Sequence, residues 1–208
     1  MVGEGVMHEC LSNPEVEKVL VINRRSIGII HPKLVEIIHQ DFYNITPVEE
    51  QMTGYDACFF CLGVSSLGMK KPDYYRVTYI LTMHFAERLA ELNPGMTFCY
   101  ISGAGTDGSE KGRINWARVK GKTENDLMKL PFKRVFAFRP GFLYPSKESK
   151  NIHGSYIIFR ILYPVFRLLI PGYVSTLKEL GLALINSCTK GYEKSVLEVK
   201  DIIVLAKR

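Results

Sequence analysis

Short β-branched apolar runs alternate with longer stretches of helical period along this chain, and no other feature restricts its fold as much. Strands joined by helical crossovers run parallel, and parallel sheets need helices on both faces to keep them from water. The pattern therefore predicts an α/β fold, a doubly wound and mostly parallel sheet. Strands are expected over residues 18–23, 34–39, 55–63, 97–102, 133–139 and 195–199. Helices are expected over residues 2–11, 72–92 and 115–129, the second ending at Asn93, Pro94 and Gly95. Beyond residue 139 the alternation weakens into apolar helical stretches at 155–170 and 175–188, and Asp201 is placed to cap a last helical turn. Helix comes before strand at the start, whereas a doubly wound fold opens on a strand. The first strand is expected to be missing.

With 208 residues, 47% of them apolar, the chain has material for one large core, and one domain over residues 1–208 is expected, to which residues 143–194 add a helical segment. The net charge of +6 is scattered and accompanies no nucleic-acid motif, so no nucleic-acid partner is expected. The cysteines, Cys10, Cys58, Cys61, Cys99 and Cys188, are odd in number and mostly sit in apolar runs, which fits a reducing compartment, the cytoplasm by default. Cys58 and Cys61 span a strand rather than opening a helix and lack a second ligand pair, so neither a redox motif nor a metal site is predicted. Residues 156–170 are the most apolar stretch, but Arg160, Pro164 and Arg167 interrupt it. It is too short and too charged to span a bilayer. A core-facing helix, a homo-oligomer face and peripheral membrane contact stay open for it.

Two glycines, Gly3 and Gly5, lead directly into the first helix. In a dinucleotide fold the loop after the first strand carries glycines that let the backbone turn under a pyrophosphate, which rests on the helix N-terminus. The order of elements from Met1 to Arg208, with Met1-Val2-Gly3-Glu4-Gly5-Val6 as a loop end, resembles the atypical short-chain dehydrogenases/reductases, the NAD(P)-binding Rossmann proteins described as NAD-dependent epimerase/dehydratase-like. The resemblance implies about ten further residues in front, a strand and two more glycines. A misplaced start is the expected reason for their absence, and a chain that as written binds no dinucleotide is one of the alternatives.

The same resemblance assigns the other sites. A carboxylate at the end of the next strand selects NAD, and arginine there takes the extra phosphate of NADP. Arg24 and Arg25 stand at that end, so NADP is preferred over NAD. Gly3 is implied to be the last glycine of the cofactor loop, which permits close helix packing, with Asp41 beside the adenine and Leu62 and Gly63 at the ribose. The family uses a serine with Tyr-x-x-x-Lys, tyrosine moving the proton and lysine lowering its pKa. Ser102 and Lys120 match, and Lys120-Gly121-Lys122-Thr123-Glu124 resembles the segment at the family lysine, but the tyrosine position is Trp116. Indole cannot exchange a proton at useful pH, so Tyr79, Tyr100 or Tyr144 would have to replace it. Lys120 is also implied to bind the nicotinamide ribose, and Pro140, Gly141 and Phe142 to line the cofactor. An oxidoreductase or epimerase acting on a carbonyl or sugar-like small molecule follows, with a non-catalytic NADP-binding or protein-interaction role as the alternative. Ser146, His153 and Tyr156 are the only polar groups that suggest a substrate side.

Overall fold

Runs rich in valine, isoleucine and phenylalanine bury side chains on both faces of a strand, and this chain uses them for one parallel sheet system. The structure, a computed structural model, describes residues 2–144 and 172–208. Helix α1 (Val2–Ser12) comes first, followed by β1 (Val19–Asn23) and β2 (Leu34–Ile38), which pair in parallel with Val19 opposite Leu34. Strands β3 (Ala57–Phe60), β4 (Thr97–Ile101), β5 (Arg134–Arg139) and β8 (Val196–Glu198) form a second parallel sheet in the order β3-β4-β5-β8. Between β5 and β8, β6 (Phe142–Tyr144) and β7 (Val174–Thr176) make a short parallel pair that the periodicity does not announce.

The helices cover both faces. On one side α3 (Leu81–Leu92) and α4 (Asn115–Leu127) pack over Phe60, Phe98 and Tyr100. On the other, α1, α5 (Leu177–Thr189) and α6 (Val199–Ala206) bury Val6, Leu180, Leu184 and Ile202 against Cys99, Phe136 and Phe138. Each buried leucine contributes roughly 2 kcal/mol. The alternation along β4, with Phe98 and Tyr100 to one core and Cys99 to the other, is what makes the sheet two-sided. The doubly wound α/β fold predicted from the sequence is therefore the fold observed.

Strand β1 hydrogen-bonds to β2 and β3 to β4, and among the described residues no ladder joins the two groups. Their side chains nevertheless enter the same cores: Leu20 and Ile22 of β1 join Phe60 of β3 on one face, and Val19 joins Phe59 on the other. β1 and β3 thus each present an unpaired edge, in keeping with the helix-first order.

Several local expectations need correction. Asp201 does cap α6, but as its third residue rather than ahead of it: in a capping box it accepts the Glu198 N–H at 3.2 Å. The helix expected from residue 175 begins after a capping box in which Thr176 Oγ1 accepts the Glu179 N–H at 3.0 Å and Glu179 Oε2 accepts the Thr176 N–H at 2.8 Å. The helix expected over 72–92 starts as α2 (Lys71–Tyr75) and passes through a π turn (Arg76–Ile80) before α3. The stretch at 155–170, with Ser146, His153 and Tyr156, lies outside the described residues.

Two contacts seat α4. A Cβ on Gly121 would stand 1.8 Å from the Asp107 carbonyl oxygen, so the loop after β4 lies directly on the helix. Glu124, 2% exposed, receives Arg139 Nε at 3.0 Å and Nη2 at 2.6 Å, tying α4 to the end of β5. Gly121→Ala is expected to destabilise the fold by roughly 3 kcal/mol through backbone displacement. Urea unfolding of the variant beside Gly95→Ala, whose added Cβ meets nothing within 4 Å, measures this.

Candidate functional site

Parallel strands deliver all their carboxyl ends to one edge, and the loops leaving that edge can share a site. The segments named from the sequence leave from there. The Asn23-Arg24-Arg25-Ser26 turn follows β1, Asp41 comes soon after β2, Leu62 and Gly63 follow β3, Ser102 follows β4, and Pro140-Gly141 follows β5. At the start of α1, a Cβ on Gly3 would sit 3.3 Å from Cys61 Cβ, which puts the helix N-terminal turn beside the end of β3.

Around β4 and β5 the structure brings the segments into direct contact. The Ser102 N–H donates to the Phe138 carbonyl at 2.7 Å, and the Ala104 N–H to the Pro140 carbonyl at 2.9 Å. The Thr106 hydroxyl donates to the Gly103 carbonyl at 2.8 Å and lies 3.0 Å from Ser102 Oγ. With its own proton used, Thr106 can only accept from Ser102. Gly141 is required by close approach, since a Cβ there would be 2.2 Å from the Tyr173 carbonyl oxygen, and the neighbouring Phe142 N–H donates to that oxygen at 2.8 Å.

Lys120 and Trp116 are one turn apart on α4, on the same face. Lys120 Nζ donates to the Ile101 carbonyl at 3.3 Å and to the Tyr100 hydroxyl at 3.5 Å. Burial of the ammonium pulls its pKa down to about 8, against the opposing pull of Glu124. The Trp116 ring stands against the Gly105 turn, where an added Cβ would be 3.6 Å from it. Lysine, serine and indole thus occupy one corner of the edge.

Two of the tyrosines named as replacement proton donors are otherwise engaged. Tyr100 is 1% exposed, and burial raises its pKa well above the ordinary phenol value. Tyr79 donates to Asp126 Oδ2 at 2.7 Å, on the part of α4 that faces the π turn. Tyr144 lies in β6, half-buried. Burial pushes the Cys10 and Cys61 thiols up to about 12, while the hydrogen bond with Cys99 lowers that of Cys188, and all five cysteines are free. Among the described residues no His, Cys, Asp or Glu cluster could hold a metal, and no helix is long and apolar enough to cross a membrane.

At the far end, Arg24 and Arg25 are exposed and have no ion-pair partner among the described residues. Asp41 Oδ1 accepts the Tyr43 N–H at 2.9 Å. One residue escaped the sequence-based expectations. Glu36, inside β2, accepts from Asn23 Nδ2 at 3.1 Å, Ser26 Oγ at 2.7 Å and the Ile27 N–H at 3.0 Å. Partial burial raises its pKa, but the hydrogen bonds from Ser26, Ile27 and Asn23 outweigh that and hold it below the usual glutamate range. A charged residue within Leu34-Val35-Glu36-Ile37-Ile38 was the available signal.

Comparison with known proteins bears on the fold that carries these residues. No family model matches the chain. The rat protein HTATIP2 is 24% identical over 209 residues, covering 99% of this chain and 85% of that protein. The mitochondrial protein FMP52 of Eremothecium gossypii is 25% identical, covering 99% and 93%. Among solved structures, a UDP-N-acetylglucosamine 4-epimerase from Methanobrevibacter ruminantium M1 superposes with a TM-score of 0.67 at 13% identity, over 98% of this chain and 77% of that one. The Bordetella bronchiseptica enzyme WbmG in complex with NAD has a TM-score of 0.67 at 12% identity, over 100% and 74%. The resemblance read from the sequence thus holds: the chain has the Rossmann-type fold of the short-chain dehydrogenases and NAD-dependent epimerases, and it is similar in sequence to HTATIP2 and FMP52.

Proposed function

We propose that this chain is an NADP(H)-binding, oxidoreductase- or epimerase-like protein of the atypical short-chain dehydrogenase type. The observation that carries the proposal is the assembly of Ser102, Lys120, Pro140 and Gly141 at the same carboxyl edge as the unpaired Arg24 and Arg25. The residues present fit a dinucleotide. Gly3 lets α1 approach the end of β3 closely, the cationic turn after β1 suits a 2′-phosphate, and Lys120 places a cation where ribose hydroxyls would lie. Asp41, Leu62 and Gly63 would border the adenosine half, and Phe142 the nicotinamide half. The cofactor, when bound, supplies hydride chemistry. Relatives of this fold solved with UDP-glucuronic acid and NAD, or with UDP-glucose, make a small sugar-like or carbonyl compound the substrate class we favour.

Trp116 favours a second reading, in which the protein binds NADP(H) without turnover. The indole N–H can hold a substrate oxygen but cannot release its proton, Tyr79 donates to Asp126, and burial beside Lys120 raises the pKa of Tyr100. Both readings predict binding, so they separate only on catalysis.

Calorimetric titration with NADPH is expected to give roughly micromolar affinity, against which the absence of saturable heat would count. Lys120 is charged below about 8 and neutral above it, so affinity should fall as pH rises from 7 to 9. Lys120→Arg keeps its charge throughout, and should abolish that fall. A second expectation concerns the proton. Carbonyl-dependent oxidation of NADPH by the Trp116→Tyr variant should exceed that of the parent by about a hundredfold, the usual contribution of a positioned acid. Equal rates in parent and variant would mean that Lys120 and Ser102 do not form a reduction site.

A further inference from the structure

We infer that Glu36 is the positioning residue that sets the cofactor preference of this site, by locking the turn after β1 so that Arg24 and Arg25 face a 2′-phosphate. The inference rests on the dinucleotide reading above and deepens it.

The adjacent strand and the residues just after it hold the turn. Glu36 Oε1 takes the Asn23 amide and the Ile27 N–H, at 3.1 and 3.0 Å, and Oε2 takes the Ser26 hydroxyl at 2.7 Å. Gln40 Nε2 donates to the Arg24 carbonyl at 2.6 Å. Gly28 closes the turn in the left-handed region, at φ +65°, its N–H donating to Ser26 Oγ at 3.2 Å. Every contact falls on the backbone or on the short side chains of the turn.

Two consequences follow. A carboxylate selects NAD by accepting the ribose diol, whereas the Glu36 carboxylate beside this turn is turned to three donors of the turn itself. The guanidinium groups of Arg24 and Arg25, by contrast, form no ion pair with it or with any other described residue. Two free cations on a fixed backbone bind an anion without first ordering a loop, which is the gain that preorganisation brings.

Simple electrostatics and positioning predict opposite signs, and this makes the inference testable. Glu36→Leu removes a negative charge near the arginines, so charge alone would tighten NADPH binding. It also removes the acceptor of all three bonds, which would release the turn. Titrating the full chain and its Glu36→Leu variant with NADPH and with NADH, while following amide exchange at Ile27, reads both. The inference expects NADPH affinity to fall about tenfold, NADH affinity to change less than twofold, and Ile27 exchange to accelerate. Ser26→Ala, which removes one of the three bonds, should show the same pattern at about threefold. Unchanged or tighter NADPH binding by Glu36→Leu overturns the inference while leaving the cofactor reading standing, as does an equal loss for both cofactors. If the parent chain binds neither cofactor, the dinucleotide reading itself fails, and the parent titration alone reveals it.

Discussion

The seat of α4 on the loop that follows β4 governs the geometry of the carboxyl edge. Glycine in mid-helix costs roughly 1 kcal/mol in propensity, yet at Gly121 it allows the Asp107 carbonyl to lie where any side chain would begin. The Asp107 N–H also donates to the Ala117 carbonyl at 3.1 Å, so loop and helix are joined at two points. The Glu124–Arg139 pair then fixes the rotation of the helix, because a buried carboxylate is tolerated only while its cation stays in place. With position and rotation set, Lys120 reaches the Ile101 carbonyl and Trp116 falls on the Gly105 turn.

Under the proposed reading, the corner that results keeps the cation and the orienting hydroxyl of a reductase site but replaces the group that would move a proton. Lys120, desolvated and short of strong partners, is the kind of ammonium that gains most from ribose hydroxyls arriving beside it. Ser102 spends its proton on Thr106 and so offers lone pairs rather than a donor. The proposed cofactor binding and the proposed chemistry therefore rest on different residues of this corner.

Much of the fold was legible because hydrophobic period alone distinguishes a buried strand from an amphipathic helix. Val19 to Asn23 and Thr97 to Ile101 read directly. Strands β6 and β7 did not, since three residues are too few to show a period and their pairing depends on the Phe142 contact with Tyr173. The cap at Thr176 carried a local signal in Glu179, three residues on, but the apolar run around it obscured the start of the helix. At the site, spacing sufficed for Trp116 and Lys120, one turn apart on α4. It could not reveal that Tyr100 is sealed in the core, nor that a glutamate from β2 holds the turn after β1, because both depend on neighbours distant in sequence.

The central claim is that loops from β1, β3, β4 and β5 form one dinucleotide surface at the carboxyl edge. Titrating isotope-labelled protein with NADPH and mapping the amide shifts tests it most directly. Saturable shifts should gather at Ser26, Gly63, Ala104 and Gly141, with Thr97 and Lys133 at the opposite edge unmoved. Shifts centred on that opposite edge, or none that saturate, would contradict the account.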